Sequence, residues 1–428
     1  MFSIGLAFIF IAGISFLGFA INALFDKIKI TSVLPLMIIG LLIGPVLNLV
    51  NVGPSSIITV LNPYITAIAI AFVLFDIGMN MRIKTLSKVI LASTQFVLLT
   101  QIIIGAAVGL FVYYVMGWSW PIAIIFSFAI SGPSSITAPT LAKNMKAPEN
   151  LRTFIVYEGV FSDILELVVP LVLISIYVIP SAQSAIAAAL GPTIFYQLMG
   201  AASLGVVSAL FWLYILNRFP DASANYSWML TIAMVIATYG IAAQLGLNTA
   251  IAVFIFGIVF ANIGSISKAK EPEQESFVQK YFSVNDYVDH TREYQREIVF
   301  FVSTFFFVYV GMLFNFSQVT TNIIGLGIAA TALIILSRII AMPILSKVFS
   351  RDPETQRVER GVAYFNIARG LSPAIIAIYI LTSGVYVQGF TDSIFMVILI
   401  TNIIFTAGVF ISYKPILEAP AAEKAAAK

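Results

Sequence analysis

Three carboxylates, Glu158, Asp163 and Glu166, lie inside one apolar run, with Leu151–Val156 before them and Leu167–Ile179 after. Only Arg152 offers a basic group near its start. An ionised group at the centre of a bilayer is costly, so acids placed there line an ion path or pair with another charge. Asp163 is the first candidate for ion chemistry. Gly159 lies one turn before it on the same helical face and leaves room for an ion or another backbone. A carboxylate buried in low dielectric needs a proton or a cation beside it. Competition between the two for one site is the chemistry of a coupled exchanger.

The neighbouring acids read differently. Glu158 stands about 140° around the helix from Asp163 and points elsewhere. It reads as the structural partner of a buried arginine. Glu166 lies one turn beyond Asp163, either as a proton relay or as a hydrated carboxylate in a cavity. Asp76, in Leu74–Met79, sits toward one end of its apolar run, where it either lines an access funnel or snorkels to the surface. With Arg338 and Arg369, these make four acids against two bases inside apolar runs. At least one acid is therefore expected to bind a proton or a cation.

These groups need a membrane scaffold. The 428 residues are 60% hydrophobic and 10% charged, with mean hydropathy +1.00. A soluble chain carries about 25% charged residues, so the composition gives a polytopic all-α membrane protein. There is no cysteine and one histidine, His290, in a hydrophilic stretch. Disulfides, thiolate metal sites and histidine clusters are thereby excluded. The N-terminal MFSIGLAFIF lacks a basic region and a cleavage site and reads as a first spanning helix. The net charge of +3 is not gathered into a nucleic-acid patch.

Apolar stretches of about 20 residues place thirteen spans near 3–25, 30–50, 60–81, 89–116, 120–142, 153–179, 192–216, 227–245, 248–264, 298–316, 322–345, 361–383 and 391–413. All 23 Lys and Arg except Arg338 and Arg369 fall on one side of this arrangement. By the positive-inside rule that side is cytoplasmic, with the N-terminus outside and the C-terminus inside. The polar stretch 265–297 is expected to be a cytoplasmic connector, solvated or in part an amphipathic helix. The segment 414–428 is a low-complexity cytoplasmic tail.

Two spans carry helix breakers at mid-depth. The fifth reads Ser131-Gly132-Pro133-Ser134-Ser135, with Pro139 beyond, and the twelfth reads Asn366-Ile367-Ala368-Arg369-Gly370-Leu371-Ser372-Pro373. Glycine and proline there free backbone groups from the helix ladder. The two are seven spans apart. If spans 1–6 and 8–13 are repeats around a linking seventh, the breaks occupy equivalent positions and cross beside span six, as in transporters built from inverted repeats.

In these motifs the chain resembles the monovalent cation/proton antiporter superfamily, and within it the archaeal NhaP-type and animal sodium/proton exchangers. Phe75-Asp76-Ile77-Gly78 looks like the acid-and-glycine motif of span three. Glu158 with Ser162-Asp163 matches the spacing of the span-six motif. Arg338 sits where the family has the arginine that pairs with the span-six Glu. Arg369-Gly370-Leu371-Ser372-Pro373 looks like the span-twelve motif.

The resemblance implies two inverted repeats with crossed discontinuous helices and a cation/proton site at Asp163, Ser162, Gly159 and Ser131, with Asp76 and Glu166 as further members. Asp163 and Ser131 would hold the monovalent cation, and Glu158–Arg338 would be a structural ion pair. Gly132, Pro133, Arg369, Gly370 and Pro373 would shape the crossover. A transport core of about 89–179 and 322–413 would move against a dimer scaffold of about 1–81 and 227–316, joined by a linker helix at about 192–216, all within a transmembrane domain of 1–413.

The departures are specific. Where the family reads Thr-Asp-Pro in span five, this chain reads Ser131-Gly132-Pro133. Ser162 replaces the asparagine before the key aspartate, and Gly159 replaces a common serine. A smaller ligand set implies weaker or altered selectivity, K⁺ alongside Na⁺, with Glu166 able to compensate. One acid rather than two at 162–163 favours electroneutral exchange.

The expectation is thus a homodimeric Na⁺/H⁺ antiporter of the cell membrane, elevator-type, with no cofactor beyond its transported ions. A K⁺/H⁺ antiporter or K⁺ efflux protein of the same fold is the first alternative, weakened because no nucleotide-binding segment follows the spans. A transport-inactive sensor with the antiporter fold is the second, favoured by the missing span-five aspartate. An enzyme is not expected: no span holds a histidine or a mid-span lysine, and there is no Gly-x-Ser-x-Gly.

Overall fold

The computed structural model describes residues 4–28, 33–49, 57–80, 88–134, 149–177, 186–267, 285–314, 319–347, 349 and 352–426. Among them are fourteen α-helices and no strand. They are α1 (Ile4–Ile28), α2 (Val33–Leu41), α3 (Ile57–Asn80), α4 (Lys88–Met116), α5 (Trp120–Ala129), α6 (Glu149–Tyr177) and α7 (Ile186–Arg218). The second half holds α8 (Pro220–Gln244), α9 (Thr249–Ser267), α10 (Asn285–Leu313), α11 (Thr321–Ala341), α12 (Pro353–Phe365), α13 (Leu371–Thr382) and α14 (Phe390–Ala426).

Each expected apolar stretch overlaps helical backbone. Six of the described helices, α4, α7, α8, α10, α11 and α14, are long and apolar enough to cross a membrane. Apolar stretches of α1, α2, α3, α5, α9 and α13 are shorter. Large apolar side chains such as Ile102, Phe195, Phe211 and Ile328 face outward, as a lipid solvent requires. The polar stretch 265–297 is divided. Residues 268–284 lie outside the described residues, and 285–297 form the opening turns of α10. That polar end is held by α3, because Arg292 donates to the Met79 carbonyl at 3.1 Å and Gln295 to the Phe72 carbonyl at 2.9 Å.

Prolines account for the irregular ends. Pro45 lies in a wide π turn, Leu42–Val46, that continues α2, since proline cannot donate to the ladder. Pro343 opens the 3₁₀ turn Met342–Lys347 that ends α11. α12 starts on an Asp352 cap, whose carboxylate accepts from the Thr355 N–H at 2.9 Å. These two hydrogen-bond donors of Thr355, N–H and hydroxyl, hold the Asp352 carboxyl below its ordinary range.

The heaviest packing falls within two sets. α9 lies against α3 and α7, and α10 against α2 and α3. Separately, α4 lies against α5, α6 and α11, while α14 lies against α11, α12 and α13. α6 and α13 each also touch α3, which brings the two sets together at the helices that carry the ionisable groups.

Candidate functional site

The break after α5 follows from its residues. Its last turn tightens, Ser131 N–H donating to Phe128 O at 3.1 Å, and Pro133 has no N–H to continue. Between α12 and α13 the chain is non-helical over 366–370, starting at Asn366 with ψ 63°. The two breaks meet: Ser134 N–H donates to the Ala368 carbonyl at 2.8 Å, and Arg369 donates to the Ser131 carbonyl at 3.2 Å. From α14, Asn402 Nδ2 donates to the Arg369 carbonyl at 2.8 Å. Helix ends and backbone groups thus converge in a buried polar knot, with these carbonyls and N–H groups answered by one another as low dielectric demands.

α6 runs past this crossing and delivers its carboxylates in different directions. Asp163 accepts from the Ser372 hydroxyl at the start of α13, at 2.6 Å. Glu166 accepts from the backbone N–H of Gly132 and lies within electrostatic reach of Arg369 and Asp163. Pro170, four residues on in the same helix, has no N–H to return to the Glu166 carbonyl. Glu158 points away to α11, where Arg338 grips it with both terminal nitrogens, one at 3.1 Å. Asn366 adds a bond to Glu158 at 2.8 Å. Arg338 also donates from Nε to the Ala363 carbonyl at 2.8 Å and lies over the Phe96 ring at 5.2 Å. All four side chains, Glu158, Asp163, Glu166 and Arg338, are buried.

The crossing therefore gathers Asp163, Ser162, Ser131, Glu166, Gly132, Arg369 and Gly370, with Pro133 and Pro373 beside them in the two breaks. Gly132 stands directly against Ser162, where a Cβ would overlap the serine side chain. Gly159 is buried one turn before Asp163. Asp76 is not at the crossing contacts. It is half-buried on α3, in the field of Arg296 and Arg292 from α10 and of Asp163 from α6. Among the described residues no three acidic or histidine side chains converge as metal ligands. A cation held here would be met by carboxylate, hydroxyl and carbonyl oxygens, the set that hard ions take.

Some members of this network are neutral amides and hydroxyls that an inventory of ionisable groups passes over. Gln101 on α4 accepts from the Ser131 hydroxyl, and Asn366, Ser372 and Asn402 tie α6, α13 and α14 together. Their signal in the sequence is a polar side chain inside an apolar span, with its partner 30 to 209 residues away.

The chain is similar to known transport proteins along most of its length. It is 23% identical over 383 residues to the low-affinity Na⁺/H⁺ antiporter NhaS1 of Synechocystis, covering 88% of this chain and 68% of that one. It is 22% identical over 388 residues to the Na⁺/H⁺ antiporter ApNhaP of Aphanothece halophytica, covering 90% and 69%. The solved structure of the sodium proton antiporter MjNhaP1 of Methanocaldococcus jannaschii at pH 8 superposes with a TM-score of 0.68 over 99% of this chain and 98% of that one, at 18% identity, which shows a common fold. Residues 9–414 match the transmembrane region of the sodium/hydrogen exchangers, and the chain is an integral membrane protein belonging to that family.

Proposed function

We propose that this chain exchanges Na⁺ for H⁺ across a cell membrane, with cation and proton competing for Asp163. The observation that carries the reading is the placement of Asp163. Its buried carboxylate sits on α6 where the breaks of α5 and of α12–α13 meet, one bond from Ser372. Glu158 is committed to Arg338 and Asn366, which leaves the ion chemistry to Asp163 and Glu166. Membership in the sodium/hydrogen exchangers and the names of the relatives support Na⁺ as the cargo.

The finer mechanism follows from the same arrangement. A proton and a cation exclude one another at one carboxylate, so the site crosses the membrane loaded with either, and one acid at 162–163 gives electroneutral exchange. Thirteen spans in two inverted repeats would put the crossing at mid-depth. The set of α4, α5, α6, α11, α12, α13 and α14 would move as an elevator against a scaffold through which two copies associate. The missing span-five aspartate favours a transport-inactive sensor. Against that, Glu166 brings a carboxylate from α6 to the Gly132 N–H, so the place does not lack an acid.

Purified protein in liposomes carrying an internal pH dye tests this. Addition of Na⁺ is expected to drive proton movement in wild type, with Li⁺ and K⁺ as comparisons, and Asp163→Asn is expected to abolish it. A wild type silent to all three ions would sink the exchange reading. Flux surviving in Asp163→Asn would remove Asp163 from its centre.

A further inference from the structure

Gln101 sits near the middle of α4, 1% exposed, and belongs to none of the motifs that carry the family resemblance. The Ser131 hydroxyl has one proton and two acceptors within reach, the Phe128 carbonyl at 2.7 Å and the Gln101 amide oxygen. It can serve only one of them at a time. Meanwhile Gln101 Nε2 is buried with no hydrogen-bond partner among the described residues, which is costly.

Turning the amide over by 180° ends the competition at Ser131 and makes the unpartnered buried atom an oxygen, free to meet a cation. Nε2 then donates to Ser131 Oγ, the Ser131 proton goes to Phe128, and Oε1 takes the outward place. That place is 3.2 Å from where a Cβ on Gly132 would lie. It also neighbours the Gly132 N–H that Glu166 holds. Residue 132 is where the family's span-five motif has its aspartate, and in this chain glycine leaves the space open to the amide of α4.

We propose that Gln101 supplies a side-chain oxygen ligand to the transported cation at the position vacated by the span-five acid, and so sets cation selectivity. This rests on the exchange reading above. An amide oxygen is neutral, so it replaces the missing ligand without adding charge, and the carboxylate at this spot comes from Glu166.

The test is the liposome assay with the full chain, comparing wild type with Gln101→Leu and Gln101→Glu for initial proton flux against Na⁺, Li⁺ and K⁺. Gln101→Leu keeps the bulk and removes the oxygen. It is expected to raise the Na⁺ KM about tenfold with kcat within about twofold, and to change the ratio of kcat/KM among the three ions. Gln101→Glu keeps an oxygen and is expected to hold its Na⁺ KM within about threefold of wild type. If Gln101→Leu does not purify as folded protein, Gln101→Asn, which withdraws the oxygen by one methylene, takes its place with the same expectation. Unchanged KM and ion ratios in the folded variant would overturn the assignment, as would a fall in kcat at constant KM, which marks a helix-packing role. A silent wild type sinks the exchange reading and this assignment with it. An active wild type with an unmoved variant sinks the assignment alone.

Discussion

At the scale of single residues, the crossing divides its charges into those that hold the fold and those proposed for ions. Glu158 and Arg338 form the first kind. Their bidentate contact is buried, fixed by Asn366 and the Ala363 carbonyl, and carries no water-facing edge. Removing one member strands the other's charge in low dielectric at about 3–5 kcal/mol, whereas removing both costs far less. Glu158→Gln and Arg338→Met are each expected to lower the melting temperature of the detergent-purified protein sharply, and the double variant to recover most of the loss. Single variants as stable as wild type would show the pair to be dispensable. That Glu158 pairs with a buried arginine was legible from its place on the helix, whereas the choice of Arg338 over Arg369 was implied only by the family resemblance. Gln101 and Asn402 were not legible. A lone amide in an apolar span has many possible partners, and only the folded chain brings Ser131 or Arg369 against it.

At the scale of elements, close backbone contact sets how α3 and α9 meet. Gly78 and Gly257 face one another, and a Cβ at Gly257 would lie 2.6 Å from the Phe75 carbonyl and 3.2 Å from the Gly78 Cα. Small residues at such crossings supply the packing that the hydrophobic effect cannot supply between helices in lipid. Gly257→Val must therefore part the two helices, and overpacking of this kind costs about 1–3 kcal/mol. The expected result is a lower melting temperature, read on the same purified protein. Gly240→Ala on α8, where an added Cβ meets nothing within 4 Å, is the neutral control. Equal stability for the two variants would mean that α3 and α9 slide apart freely. The helices themselves were readable from runs of apolar residues, and the breaks from Gly-Pro and Gly-Leu-Ser-Pro. The stretch 265–297 was left open between a solvated connector and an amphipathic helix; its part 285–297 is helical, with Arg292 and Gln295 finding carbonyls on α3 at the start of α10.

At the scale of the whole molecule, one physical bias runs the length of the chain. On the thirteen spans expected from the sequence, the Lys and Arg outside the spans fall on one side and the opposite side carries none. The turn after α4 belongs to the side without them. There Tyr113 stacks on Trp120 with centroids 4.2 Å apart, and Trp118 packs edge-on against Phe126 at 5.3 Å. Aromatic rings gather at the headgroup level of a bilayer, so this turn is expected at an interface. The end of α11, at Ser346 and Lys347, belongs to the basic side. Seven expected spans separate the two points, an odd number, so the two are expected to face opposite compartments. The chain has no cysteine, which makes the arrangement directly measurable. Ser119→Cys is expected to react with a membrane-impermeant maleimide on intact cells, and Ser346→Cys only after permeabilisation. The reverse pattern would invert the orientation. Labelling of both from one side would overturn the thirteen-span count, and with it the proposed symmetry that would set the two broken helices at the same depth.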